Sequence, residues 1–316
     1  MKIIKRLVTA LLMLFVVSLL VFLFTQALPG DIARQVLGQN ATPDQIARLR
    51  QQLGLDQSLL HQYLNWVGNL ARFDLGTSLA SGSPVGDLIG TRILNSATLV
   101  AATALLLFPL ALLLGTAAAR RPEGLIDQAV SAAALVVLAI PEFIIAILVV
   151  VVLATNVLRV LPPTSVVDPA HPAWQQPELL ALPTLALVVG SLPYLTESVK
   201  TTLREELASE HVLWARLSGV PEWRIIWRHG LPNTIGPSLQ VAATTLIYLT
   251  GGIVAVETVF AFPGLGSALV EAVNNRDIPV VQAITMLLAA IALLVYVVAD
   301  VGGVLTNPRL RTRRTA

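Results

Sequence analysis

The chain has 316 residues, a net charge of +2 and no cysteine, which excludes both a disulfide framework and a thiolate metal site. Apolar residues make up 55% and charged residues only 13%, with a mean hydropathy of +0.75, whereas a soluble domain carries about 25% charged residues; the composition belongs in a membrane.

Six apolar stretches are long enough, or nearly so, to cross a bilayer as helices, which need about 20 residues each. The expected fold is therefore all-α and polytopic, with six transmembrane helices. The first stretch runs from Leu7 to about Leu28 behind Lys2, Lys5 and Arg6. Its apolar core is too long for a signal peptide, and it reads as a retained span. The second is Ile93–Ala119, and the third is Ala129–Leu158, interrupted only by Glu142. The fourth, about Leu179–Leu195, carries Pro183 and Pro193; the fifth is Thr234–Val256 and the sixth Ile278–Ala299.

Charge asymmetry sets the orientation. With the N-terminus inside, 14 basic residues fall on the inner side and 7 on the outer side, and the short Arg120-Arg121 turn is the most telling loop. Both termini are expected in the cytoplasm.

The segment from Pro29 to about Arg92 is an external helical segment after the first span. Thr42-Pro43-Asp44-Gln45 reads as a helix start, with Thr42 as N-cap, Pro43 at the first helical position and Gln45 closing a capping box. Ile46, Leu49 and Leu53 form one stripe, and Gly54 ends the helix. A second short helix, about Ser58–Ala71, carries Tyr63, Trp66, Val67 and Leu70 at helical spacing. It reads as a cap packed on the spans, or as a direct contact with a partner.

Glu142 is an ionisable group deep in a span, and such a group is a functional-site hypothesis by default. It follows Pro141, which loosens the helix. It is either a substrate-pathway residue favouring a cationic or amine-bearing solute, or a protonated carboxyl hydrogen-bonded to a neighbouring span.

Between the fourth and fifth stretches lies a charged segment, Lys200–Asn233. Its first helix extends inward from Lys200 to about Leu217. Gly219 breaks it, and Pro221 opens a short second helix, Pro221–His229. Trp223, Ile226 and Trp227 share one face, and Arg224 and Arg228 share another. Two tryptophans and two arginines on a short helix have the composition of a binding hot spot, or of an interfacial helix with Trp at headgroup level and Arg snorkelling.

This segment resembles the cytoplasmic loop of ATP-binding-cassette importer permeases, which carries Glu-Ala-Ala, three residues, Gly, nine residues, Ile, one residue, then Leu-Pro. The chain matches at Ala215, Gly219, Leu231 and Pro232 and departs at Leu213, Trp214 and His229. The likeness runs nearly end to end. Leu28-Pro29-Gly30-Asp31, the stretch Leu53–Val67, Asp74–Ser78 and Pro84–Arg92 resemble the first (B-type) permease of the oligopeptide, dipeptide and nickel importers. So do Glu257-Thr258-Val259-Phe260, Pro263-Gly264-Leu265-Gly266 and Arg276-Asp277, and the tail Asn307-Pro308-Arg309-Leu310-Arg311.

The resemblance implies a bacterial inner-membrane permease subunit of an ATP-driven importer for peptides or related small solutes. It implies a second homologous permease, two ABC ATPase subunits and an external substrate-binding protein as partners, with the lipid bilayer around it and no nucleic acid. It implies three regions: residues 1–96 (first span and external segment), 97–306 (transmembrane core with a coupling helix near 221–229) and 307–316 (a basic cytoplasmic tail). The ATPase-coupling residues would be Ala215, Gly219, Pro221, Trp223, Arg224, Ile226, Trp227, Arg228, Leu231 and Pro232. The external loop near the binding protein would hold Glu257, Phe260, Pro263, Gly264, Gly266, Arg276 and Asp277.

The chain is not expected to be an enzyme. Its only lysines are Lys2, Lys5 and Lys200, and none follows a glycine, so it has no P-loop. Its four histidines are dispersed, with no metal-ligand spacing. No cofactor is expected in this chain; ATP and Mg would sit on the partner ATPases. A secondary transporter and a non-transport membrane scaffold are the alternatives, the first weakened by the lack of internal repeats.

Overall fold

The computed structural model describes residues 2–27, 37, 41–52, 54–155, 158–168 and 170–306. The Leu28–Asp31 motif, Leu53 and the 307–316 tail lie outside the described residues, as do the side chains of residues 2–5, 49, 52, 235–239 and 302–306. Among the described residues the structure is all-helical: α1 (Lys2–Gln26), α2 (Pro43–Gln52), α3 (Leu59–Ala71), α4 (Val85–Arg120), α5 (Leu125–Leu138), α6 (Glu142–Val150), α7 (Pro177–Leu207), α8 (Glu210–Leu217), α9 (Glu222–Ile225), α10 (Leu231–Val259), α11 (Leu265–Asn274) and α12 (Ile278–Thr306). By length and apolarity, five described helices can each cross a membrane, and α5 with α6 can make a sixth span. The chain divides into two compact units, residues 1–94 with 264–293, and residues 95–263 with 294–316.

In the first unit, the capping box at Thr42 forms as the sequence predicts: the Thr42 amide donates to Gln45 Oε1 at 3.0 Å and the Gln45 amide to Thr42 Oγ1 at 3.4 Å. α3 starts on Ser58, whose hydroxyl accepts from the His61 amide. It packs on α1 through an aromatic cluster. Phe22 stacks on Trp66 at 6.0 Å between ring centres and meets Tyr63 edge-on at 5.4 Å. The Tyr63 hydroxyl is 2.8 Å from Ser18 Oγ. Elsewhere in this unit the N-terminal part of α4 meets α11 and α12 through Val85, Ile89, Leu265, Val280 and Ile284, all buried.

In the second unit α7 is the central helix and is more enclosed than α10. It packs against α5, α6 and α10. Leu182, Leu187, Leu249, Ile253, Phe260 and Phe262 build the core.

The third apolar stretch departs from the single span expected over Ala129–Leu158. It is two helices, α5 and α6, whose axes differ in direction by 104°. Ile140 precedes a proline, which disfavours helical backbone at that position, and Pro141 takes an extended backbone (φ −58°, ψ 143°) as the N-cap of α6. The apolar run continues through the bend, so hydropathy alone does not reveal it.

Candidate functional site

The charged segment folds as a helix–turn–helix on the end of α7. Its first part is broken where the sequence reading expects continuity. α7 ends at Leu207, and α8 restarts behind Ser209. α8 then closes in a Schellman turn. The Gly219 amide donates to the Arg216 carbonyl at 3.0 Å, and the Val220 amide to the Ala215 carbonyl at 3.1 Å. Gly219 sits at φ +77°, a left-handed conformation that glycine adopts without a Cβ penalty. Ala215 and Val220 then pack together on the buried cluster of Leu203, Val212, Ile225 and Leu231. The spacing of Ala215 and Gly219 thus has a physical meaning: one supplies the capped carbonyl and the apolar contact, the other the backbone reversal.

α9 begins at Glu222, with Pro221 as its N-cap rather than its first helical residue. It does not stop at His229 as expected. It passes through a π turn, Ile226–Gly230, directly into α10. The reason lies at Pro232: a proline cannot donate to the carbonyl four residues back and its ring crowds that carbonyl, so the helix widens there. The Leu231 amide accordingly donates to the Ile226 carbonyl, five residues back. The widened turn also corrects the expected face. Ile225 and Ile226 both point into the core at 0% and 3% exposure, while Trp223 and Trp227 stay exposed at 58% and 61%. Arg224 lies over the Trp223 ring at 5.3 Å, a cation–π contact. Arg228 and Pro232 are exposed and Leu231 is buried. Arg216 and Glu222 tie the two arms of the turn by an ion pair of 2.7 Å. Beside it, Arg120, Arg121, Arg204 and Arg216 line a basic cleft of about 530 Å³.

A buried ionic cluster next to this segment has no counterpart in the sequence reading. Lys200 is almost fully buried and lies 3.1 Å from Asp127 and 2.7 Å from Glu197, and it donates to Ser131 Oγ at 2.7 Å. Arg204 lies 2.6 Å from Asp127 and donates to the Ala118 carbonyl. The signal in the sequence was Lys200 itself, the only lysine beyond residue 5, set one helical turn before Arg204.

Glu142 is the first residue of α6, just past the bend, and is partly exposed. A Cβ on Gly252 of α10 would fall within its carboxylate, and a Cβ on Gly190 of α7 would touch its Cγ at 3.7 Å. Among the described residues none gives this carboxylate a hydrogen bond or ion pair.

The residues expected in one loop near 257–277 fall into separate places. Within the second unit, Glu257 is inside α10, fully buried, with the Ser96 hydroxyl donating to it at 2.6 Å; Phe260 is fully buried too. Neither presents a side chain to an outside partner. Pro263 ends that unit, where its carbonyl accepts from Asn95. Within the first unit, Gly264 caps α11, and its amide donates to Ser267 Oγ at 3.1 Å; Gly266 is buried in that helix. Arg276 closes α11 in left-handed backbone at φ +52°. Asp277 is buried and holds a turn: it accepts from the Ser78 hydroxyl and from the Leu79 amide at 3.0 Å. Among the described residues no group of three or more His, Asp or Glu side chains is placed to hold a metal.

Long apolar helices, a bent pair and an exposed aromatic helix joined directly to a span define a polytopic membrane protein. The family of binding-protein-dependent transport system inner membrane components matches residues 111–312, and the N-terminal part of the same kind of component matches residues 1–111. The chain belongs to this family: it is a membrane permease subunit of an ABC importer. It is similar to the glutathione transport system permease GsiC of Escherichia coli, at 33% identity over 98% of both chains. It is also similar to a peptide transport system permease of Brucella abortus (31% identity, 98% of both chains) and to a peptide ABC transporter permease of Sinorhizobium fredii (29%, 98% of both chains).

Proposed function

We propose that this permease takes the first (B-type) position beside a second, homologous permease in the inner membrane, with both termini and the Lys200–Asn233 segment in the cytoplasm. Two ATPase subunits carry ATP and Mg, an external binding protein delivers the solute, and this chain performs no catalysis of its own. Peptides or related small solutes are the proposed cargo, supported by the names of its peptide- and glutathione-transporting relatives.

The observation that carries the coupling role is the exposure of Trp223 and Trp227 on a helix braced from both sides. The Schellman turn at Gly219 and the Arg216–Glu222 pair hold one side, and the π turn into α10 holds the other. In this reading α9 seats in a groove on an ATPase subunit. ATP-driven closure of the ATPase dimer displaces α9, and α10 follows. Ala215 and Gly219 shape the turn, Pro221 starts the docking helix, and Arg224 and Arg228 give it charge. Ile226, Leu231 and Pro232 anchor it to the span.

The test is transport-linked ATP hydrolysis by the reconstituted complex. Trp223→Ala combined with Trp227→Ala should assemble at normal levels but lose stimulation of hydrolysis by the loaded binding protein. Full stimulation in the double variant would exclude the docking role.

A further inference from the structure

Glu142 sits where three helices of the second unit meet: it opens α6, touches Gly190 of α7 and lies against Gly252 of α10. Its carboxylate fills the volume that a side chain at Gly252 would take, so the helices come close enough to form a niche around one charged group. The niche is not sealed, since the residue is partly exposed and its oxygens are not among the enclosed, unsatisfied atoms. Yet among the described residues no cation or donor pairs with it. The residues that follow it, Phe143, Ile144, Ile147 and Leu148, are apolar.

An ionisable group in such surroundings is costly unless something offsets it. The N-terminus of α6 supplies partial positive charge but no full counter-charge. A partly exposed carboxylate packed against Gly190 and Gly252 and, among the described residues, without a partner is complementary to one transient monovalent cation. We propose that Glu142, seated on Gly190 and Gly252, is a docking point for the ammonium group of the transported solute. The proposal rests on the permease reading above and adds to it a chemical requirement on the cargo. The glycines set the depth of the niche, and the carboxylate sets the sign of the group it accepts.

The experiment uses the complete transporter in proteoliposomes with its binding protein in excess. The probe is an equimolar mixture of di- and tripeptides with free amino termini, and ATP-dependent uptake is read by mass spectrometry of the vesicle contents. Glu142→Gln keeps the shape and removes the charge, and should lower the uptake rate by about tenfold, the scale of one lost charge-assisted contact. Glu142→Asp keeps the charge and should retain most of the rate. Gly252→Ala, which fills the niche, should behave as Glu142→Gln does. Wild-type uptake in Glu142→Gln overturns the proposal. So does equal loss in the Gln and Asp variants, which would mean that shape matters and charge does not. Absence of ATP-dependent uptake in the wild type is a different result: it overturns the reading of the cargo as peptides, not the chemistry of the niche.

Discussion

The Lys200 ammonium on α7 lies 3.1 Å from the Asp127 carboxylate on α5, and both side chains are almost wholly enclosed. Arg204 reaches the same carboxylate from one turn further along α7, and the Glu123 amide donates to it at 2.8 Å. Two neighbouring helices are thus joined by charges that cannot easily return to water. Neutralising Asp127 leaves the enclosed Lys200 with Glu197 as its remaining carboxylate, while the partly exposed Arg204 can turn to water, so the cost falls below the ~3–5 kcal/mol of a wholly uncompensated buried charge. Asp127→Asn should therefore lower the thermal midpoint of the purified protein in detergent by several degrees. An unchanged midpoint would mean that water reaches the cluster.

Gly219 is held at φ +77°. A Cβ in that conformation costs roughly 1–2 kcal/mol. Gly219→Ala should loosen the Schellman turn and raise amide hydrogen exchange across residues 215–224, while Gly219→Asn, which tolerates left-handed backbone better, should do so less. Equal exchange in all three proteins would show that the Arg216–Glu222 pair alone fixes the turn.

Asp277 holds the turn at Ser78–Ala80 through one hydroxyl and two backbone amides. Asp277→Ala leaves the buried Ser78 hydroxyl and the half-buried Leu79 amide without this acceptor, a loss of about 1–3 kcal/mol for each group not reached by water. The variant should become sensitive to limited proteolysis near residues 78–83, with Asp277→Asn in between. Resistance equal to wild type in Asp277→Ala would contradict the anchoring role.

Tyr63→Phe removes the hydroxyl bonded to Ser18 while keeping the ring against Phe22. The expected destabilisation is about 0.5–1.5 kcal/mol. Tyr63→Ala also removes the ring and should cost about 3–5 kcal/mol, as deletion of a buried aromatic does. Chemical unfolding of the two variants should separate these values.

What the sequence made legible was local. The Thr42–Gln45 box is written in adjacent residues and forms as read. The apolar stretches become helices because their length and composition leave the backbone no other way to satisfy its hydrogen bonds in lipid. The bend at Ile140-Pro141 is less visible: the proline marks the position, but an unbroken apolar run carries no information about direction. A regular helical period puts Ile226 on the tryptophan face, whereas in the structure it is buried at the start of the π turn. The apolar run ends at Val256 and so puts Glu257 in the loop, whereas α10 extends through Val259 and Glu257 is buried within it. The Asp127–Lys200 pair joins residues far apart in the chain, and no periodicity encodes it.

The direct passage of α9 into α10 makes the exposed tryptophans part of a crank rather than the tip of a tether. A π turn holds one residue more than an α turn, and one residue is about 100° of helical rotation. The bearing of Trp223 and Trp227 relative to α10 therefore depends on the residues of the turn that follow Trp227, Arg228 to Gly230. Deleting one residue between Trp227 and Leu231 would leave both rings in place on the chain but aim them elsewhere.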